Sequence, residues 1–190
     1  MKAWTLALTL ILCATAATAD SARIEVAYSL LLQAGDRPVA TSLLDGLDTG
    51  DGFRVRLRPG QESYVYLIAQ RGRDDFRLLL PDRRTMRGKN RLERGEDFTW
   101  PREGWLRLDQ DRGVERLYLI LADRQIPELE ARYALRKASF PESVIVDIRD
   151  RYQGVTTTRR KVTDERIKVK LKSRGAEAAL LIEEIAIRHL

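Results

Sequence analysis

The segment that decides the fold is Ile24–Leu32, which reads IEVAYSLLL. Every second residue in it is apolar and large, which is the spacing of a β-strand with one buried face. The segment Phe53–Arg58, FRVRLR, repeats this alternation with an arginine at every second position. Tyr64–Ala69 is instead a continuous aromatic and β-branched run, which suits a strand covered on both faces. These three segments predict strands.

Further apolar runs follow along the chain and are separated by turn residues. The runs are Phe76–Leu80, Trp105–Leu108, Leu117–Ala122, Val144–Ile148 and the basic segment Ile167–Leu171. Gly50-Asp51-Gly52 and Pro59-Gly60 are typical of turns between strands. Many short strands at this spacing predict a mostly-β fold, either an antiparallel β-sandwich or a barrel-like domain.

One helix is predicted, at Pro127–Lys137. Proline is tolerated in the first turn of a helix, and Glu128 and Glu130 suit its positive N-terminal end. The last segment, Ala176–Leu190, fits a helix or a strand, and we favour a strand. The resulting organisation is a β-rich core domain over residues 20–140 and a β-rich C-terminal extension over residues 141–190, packed on the core.

Residues 1–19 have the pattern of a cleavable signal peptide. Lys2 precedes the apolar run Ala3–Cys13, and Ala17-Thr18-Ala19 supplies small residues for cleavage before Asp20. The apolar run is too short to cross ~30 Å of hydrocarbon, so we expect no transmembrane span. Leucine before Cys13 disfavours lipid attachment there. We therefore predict a periplasmic or secreted protein.

Cleavage would leave 171 of the 190 residues and remove Lys2 and the one cysteine. The remaining chain has 33 basic and 28 acidic residues, a net charge of +5. Its one histidine, His189, cannot form a Ser-His-Asp site or a paired-histidine metal site, and we expect it at the surface. No glycine-rich phosphate loop is present. The sequence therefore predicts a protein that is not an enzyme and needs no cofactor or metal.

Acidic residues leave one alternative open. Asp109, Asp111 and Glu115 flank Gly113 in the manner of a calcium-loop fragment, but Arg112 interrupts the pattern and a hairpin is favoured. Carboxylate pairs can hydrolyse glycans. Adjacent acidic residues, as in Glu183-Glu184, would however point to opposite faces of a strand. A carboxylate-based glycan hydrolase is therefore an alternative function.

Basic residues are concentrated in the C-terminal region. They are Arg159, Arg160, Lys161, Arg166, Lys168, Lys170 and Lys172. On a strand, the last four of these residues share one face, opposite Ile167, Val169 and Leu171. Such a row can protect an exposed edge strand against unwanted pairing. It can also bind something anionic, such as lipid head groups, an envelope polymer or an acidic protein. The predicted compartment disfavours nucleic acid.

The order of several motifs between residues 50 and 130 resembles the bacterial family known as domain of unknown function 4384. The motifs are Gly50-Asp51, Tyr64-Val65-Tyr66-Leu67, Leu79-Leu80-Pro81, Asn90, Pro101 with Trp105, Gly113-Val114-Glu115-Arg116-Leu117 and Ile126-Pro127-Glu128-Leu129-Glu130. The resemblance implies a β-rich module of envelope and signalling proteins, without established catalytic residues.

Together these patterns predict a non-catalytic exported interaction module that binds another component of the cell envelope. The partner would be an envelope protein, an anionic envelope polymer or a lipid head group. A glycan hydrolase and a structural subunit of an envelope complex are the alternatives.

Overall fold

A computed structural model describes residues 22–34, 37–41, 46–70, 73–82, 90–108, 113–135, 139–152, 154–174 and 178–189. The predicted signal peptide at residues 1–19 lies outside this part of the chain, as do Asp109 and Asp111. The strands are β1 (Ala22–Ala34), β2 (Arg37–Thr41), β3 (Gly52–Pro59), β4 (Ser63–Gln70), β5 (Phe76–Leu80), β6 (Arg91–Leu92), β7 (Phe98–Trp100), β8 (Leu106–Arg107), β9 (Gly113–Ala122), β10 (Ser139–Phe140), β11 (Val155–Val162), β12 (Ile167–Arg174) and β13 (Leu180–His189). The helices are α1 (Pro127–Ala134) and α2 (Ser143–Tyr152).

The strands form two antiparallel sheets. Sheet A has the order β11-β12-β1-β3-β7, with β2 paired to the end of β1 and β8 paired to β3. Sheet B has the order β10-β5-β4-β9-β13, with β6 paired to β4. The predicted mostly-β sandwich is therefore confirmed.

A hydrophobic core lies between the two sheets. Alternate residues of β1, such as Ile24, Val26 and Leu30, belong to the same buried cluster as Leu119 and Leu181 of sheet B. A second cluster joins the opposite face of sheet B to the helices, through residues such as Tyr66 and Ile148. Sheet B is thus covered on both faces, which explains the unbroken apolar run of β4. Sheet A keeps one face free of the core.

Helix α1 is fixed to sheet B by a buried tyrosine. The Tyr66 hydroxyl accepts a hydrogen bond from the Ile126 amide at 2.9 Å and donates one to Glu130 at 2.7 Å. Asn90 donates to the same carboxylate oxygen at 3.2 Å. Burial raises the pKa of Tyr66, which the Ile126 amide only partly offsets, so the hydroxyl stays protonated. The helix ends at Ala134, and residues 136–138 lie outside the described part.

The strand predicted at Val144–Ile148 is wrong, because these residues lie in α2. Val144, Ile145, Ile148 and Tyr152 are buried, at the spacing of one helix face. Val146, between them, is 40% exposed. The β-branched residues suggested a strand, but the apolar residues recur with the period of a helix. The described residues therefore contain two helices rather than one, and neither is long and apolar enough to span a membrane.

Residues 106–122 also differ from the predicted hairpin. β8 pairs with β3 in sheet A, whereas β9 pairs with β4 and β13 in sheet B. The hairpin prediction is therefore wrong, because the described strands β8 and β9 belong to different sheets. The two strands were close in sequence, but each has its pairing partner in a different sheet.

The C-terminal strands contribute to both sheets. β12 pairs with β1 in sheet A, and β13 pairs with β9 in sheet B. The preference for a strand in the last segment is confirmed. The expectation of a surface histidine is wrong, because His189 is 4% exposed and its Nε2 lies 2.9 Å from the Thr49 hydroxyl. Its position in β13 shares the buried face of Ile185 and Ile187.

Candidate functional site

The outward face of sheet A collects basic residues from four strands. Residues directly paired across an antiparallel ladder have side chains on the same face. Ala27 of β1 pairs with Lys168 of β12 on one side and with Arg58 of β3 on the other. The lysines of β12 and the arginines of β3 therefore share one face, on opposite sides of β1.

We call this surface the cationic face. It consists of Arg23, Arg54, Arg56, Arg58, Arg159, Lys161, Lys168, Lys170 and Lys172. Along the described lengths of β1, β3, β11 and β12, Glu25 is the one carboxylate on the same face. Nine positive charges therefore stand against one negative charge.

The lone carboxylate, Glu25, is shared by two of the lysines. Lys168 Nζ lies 2.5 Å from one carboxylate oxygen and Lys170 Nζ lies 2.8 Å from the other. Partial burial raises the pKa of Glu25, but the hydrogen bonds and charges of the two lysines outweigh it and the net shift is downward. Glu25 is therefore ionised at neutral pH and neutralises part of the face.

Other cations on the face are next to like charges. Arg159 pairs directly with Lys170, Lys161 with Lys168, and Arg23 with Lys172. No carboxylate of the described residues lies within 4.0 Å of Arg159, Lys161 or Lys172. Like charges directly opposite each other destabilise a sheet, although salt screens them beyond ~8–10 Å. The arrangement thus has an electrostatic cost that an anion would relieve.

Arg54 is held differently, at the end of the face. Its guanidinium donates a hydrogen bond to the Gly104 carbonyl at 2.7 Å and lies 4.3 Å from the centre of the Trp105 ring. A cation over an aromatic face is attracted by the ring quadrupole. These contacts fix the side chain in place and define that end of the surface.

Arg160 does not belong to the face, although the sequence grouped it with its neighbours. It is on the opposite side of β11, where it donates to the Tyr28 hydroxyl at 3.1 Å and contacts Glu183 at 3.2 Å. Tyr28 also donates to Glu183 at 2.7 Å. Burial raises the pKa of Tyr28 strongly, and the negative charge of Glu183 raises it further. Arg160 is therefore the counter-ion of a buried carboxylate.

The prediction that Arg166 shares a strand face with Lys168, Lys170 and Lys172 is wrong, because β12 begins at Ile167. Arg166 lies instead in the preceding turn, at the rim of a cleft in the cationic face. The turn from β11 to β12 closes by two backbone hydrogen bonds between Thr163 and Arg166, of 2.9 and 3.3 Å. The cleft has a volume of about 180 Å³. Its lining includes Ala27, Ser29, Arg56, Arg58, Asp97 and Arg166. Of the seven predicted residues, five therefore lie on the face and one borders this cleft.

The arginines of β3 were missed as site residues. Their alternation indicated a strand, but nothing in the sequence said that β3 and β12 flank the same strand. A cluster of basic residues at alternate positions in both segments is the signal that could have joined them. Only the pairing with β1 establishes that they share a face.

The acidic residues of the described part of the chain form no metal-binding cluster. Among the described residues, no three His, Cys, Asp or Glu side chains lie close enough together to hold a metal ion. Glu183 is buried between the sheets, whereas Glu184 is exposed and pairs with Arg116 at 3.0 Å. The prediction that these neighbours point to opposite faces is confirmed.

The fold and the site together define an antiparallel β-sandwich with a cationic face on one sheet and two helices packed on the other. The chain matches no protein-family model, no curated protein and no solved structure. The resemblance to domain of unknown function 4384 stays a prediction.

Proposed function

We propose that this protein is an exported, non-catalytic module that binds an anionic component of the cell envelope through its cationic face. The observation that carries the proposal is the excess of nine cations over one carboxylate along the outward face of β1, β3, β11 and β12. The proposed export rests on the signal pattern of residues 1–19. A mature N-terminus at Asp20, read by mass spectrometry, would support it.

The charge is concentrated rather than spread over the molecule. From residue 20 onward the net charge is +5, while the cationic face alone carries +8. The rest of that chain therefore has a net charge of −3. A surface of one sign raises the local concentration of its counter-ion and steers association. This asymmetry supports recognition of an anion by one side of the molecule.

Protection of an exposed edge explains only part of the face. It accounts for Arg159 and Lys161, because β11 is an edge strand of sheet A. It does not account for Arg56 and Arg58, because β3 is paired with β1 on one side and β7 on the other. Cations on an interior strand need another explanation, and binding of an anion supplies it.

The test is retention on immobilised polyglutamate, a polyanion of defined chemistry. The triple variant Arg159→Ala, Lys161→Ala, Lys172→Ala should elute at a clearly lower salt concentration than the unmodified protein. The matched control is Arg73→Ala, Arg149→Ala, Arg188→Ala, which removes the same charge from exposed positions away from sheet A. The control should elute near the unmodified protein. Equal losses in both variants would mean that net charge alone governs retention, and would reject the face.

A further inference from the structure

We propose that the cleft beside Ser29 is a subsite for a phosphate ester group of the anionic partner, an inference that rests on the proposed function. The cleft is a concave part of the cationic face. It brings three arginines around a floor of small side chains.

A break in the sheet creates the cleft. β12 pairs with β1 as far as Tyr28, and β2 pairs with β1 from Leu30 onward. Ser29 lies at the junction and pairs with neither of these strands. Because Ala27 and Ser29 have small side chains, the surface over β1 is lower than the arginines and lysines on either side.

Three guanidinium groups border this depression. Arg56 and Arg58 come from β3, and Arg166 comes from the turn that precedes β12. No carboxylate of the described residues lies within 4.0 Å of Arg56 or Arg166. Arg58 has only a long contact with Asp97, at 3.9 Å. The arginines of the cleft are therefore available to a ligand, unlike Lys168 and Lys170, which Glu25 holds.

The number and type of donors favour phosphate over a carboxylate. Arginine presents planar forks of N–H donors that match phosphate and carboxylate oxygens in pairs. A carboxylate has two oxygens, whereas a terminal phosphate ester has three, spread tetrahedrally, and can accept from arginines on two sides of a cleft. The cleft volume of about 180 Å³ is enough for such a group. Ser29, which is 2% exposed, forms part of the floor.

Asp97 is the one acidic residue of the cleft, and it gives the proposal a second, opposite test. Its carboxylate would repel a bound phosphate and competes with it for Arg58. Asp97→Asn should therefore increase the affinity for phosphate esters several-fold. Arg56→Ala and Arg166→Ala should each lower it by about tenfold, the size expected for lost charge-assisted hydrogen bonds.

The experiment is a titration of the isotope-labelled full-length mature protein with glycerol 3-phosphate, followed by NMR at constant ionic strength. We expect saturable shifts of the amides of Ala27 and Ser29, and a weaker response to acetate. Arg149→Ala is the matched control, because it removes an exposed arginine of α2, away from the cleft and from sheet A, and should change the affinity less than twofold. Arg56→Lys keeps the charge but not the fork, and should reduce the preference for phosphate over acetate.

Equal affinity for acetate and glycerol 3-phosphate would overturn the subsite, as would equal losses from Arg56→Ala and Arg149→Ala. If either result is obtained while retention on polyglutamate is unchanged, the subsite is rejected and the proposed function is still supported. Loss of face-dependent retention on polyglutamate rejects the proposed function itself. Two further titrations, with phosphatidylglycerol vesicles and with soluble poly(glycerol phosphate), then identify the source of the phosphate ester group. Arg56-dependent binding to either of them supports the subsite. A lack of binding to both contradicts the subsite.

Discussion

At the scale of single residues, neighbours in β11 have different roles because successive side chains of a strand point to opposite faces. Arg159 is on the cationic face opposite Lys170, where its loss relieves repulsion. Arg160 contacts Tyr28 and Glu183, and Glu183 is only 8% exposed. One arginine is therefore a binding residue in our proposal, and the other stabilises the fold.

This difference gives a paired prediction. Arg160→Ala should lower the free energy of unfolding by about 1–3 kcal/mol, because it leaves a buried carboxylate without its counter-ion. Arg159→Ala should change it by less than about 0.5 kcal/mol, as expected for an exposed substitution. Urea denaturation of the two variants measures both values. A larger loss for Arg159→Ala than for Arg160→Ala would contradict the assignment of faces.

Glu25 gives a prediction about pH. Its pKa is lowered in the folded protein from the ordinary value of 4.5, so its ionised form stabilises the fold. That contribution is present above the ordinary pKa and is lost as the pH falls through the lower, folded pKa. Glu25→Gln should therefore lower the melting temperature at neutral pH and have little effect in acid.

The same variant should bind anions more tightly, since Lys168 and Lys170 lose the carboxylate that holds them. Melting curves across the acid range and retention on polyglutamate check the two effects separately. Weaker retention of Glu25→Gln would contradict the claim that these lysines are part of the binding surface. A destabilisation that persists unchanged in acid would contradict the ionic origin of its stabilising effect.

At the scale of elements, the spacing of the apolar residues in α2 indicates a helix, whereas its β-branched composition suggested a strand. The exposed Val146 is a β-branched residue in a helix, where it costs more side-chain entropy than alanine. Val146→Ala should therefore stabilise the protein by about 0.5 kcal/mol. In a strand the same change would destabilise it. The buried control Ile148→Ala should lower the free energy of unfolding by about 2–5 kcal/mol in either case. The sign of the change that Val146→Ala causes in this free energy, measured by urea denaturation, therefore decides between helix and strand.

The sequence predicts those features whose cause is local. The alternation of Ile24–Leu32 comes from one buried face, so β1 could be predicted without knowing its partners. The cationic face has a non-local cause, because β3 and β12 are more than 100 residues apart and meet only through β1. The alternation of Lys168–Lys172 therefore revealed one half of the site, and Arg56 and Arg58 were missed. The role of Arg160 depends on a contact with the other sheet, which no spacing in β11 indicates.

At the scale of the whole molecule, the helices, sheet B and sheet A have different roles. The helices cover one face of sheet B, and sheet B and sheet A enclose the core between them. The other face of sheet A has no covering element in the described part of the chain, and it carries the positive charge. The paired strands fix the backbone positions of these cations, so binding an anion orders side chains but needs no ordering of the backbone.

The measurement that tests this account most directly is an NMR map of the surface that contacts a polyanion. Isotope-labelled protein is titrated with polyglutamate at low salt, without any substitution. The account predicts that the perturbed amides cluster on the exposed residues of β1, β3, β11 and β12, and that α1 and α2 are unaffected. Perturbations spread evenly over both sheets and the helices, or centred on α2, would contradict it.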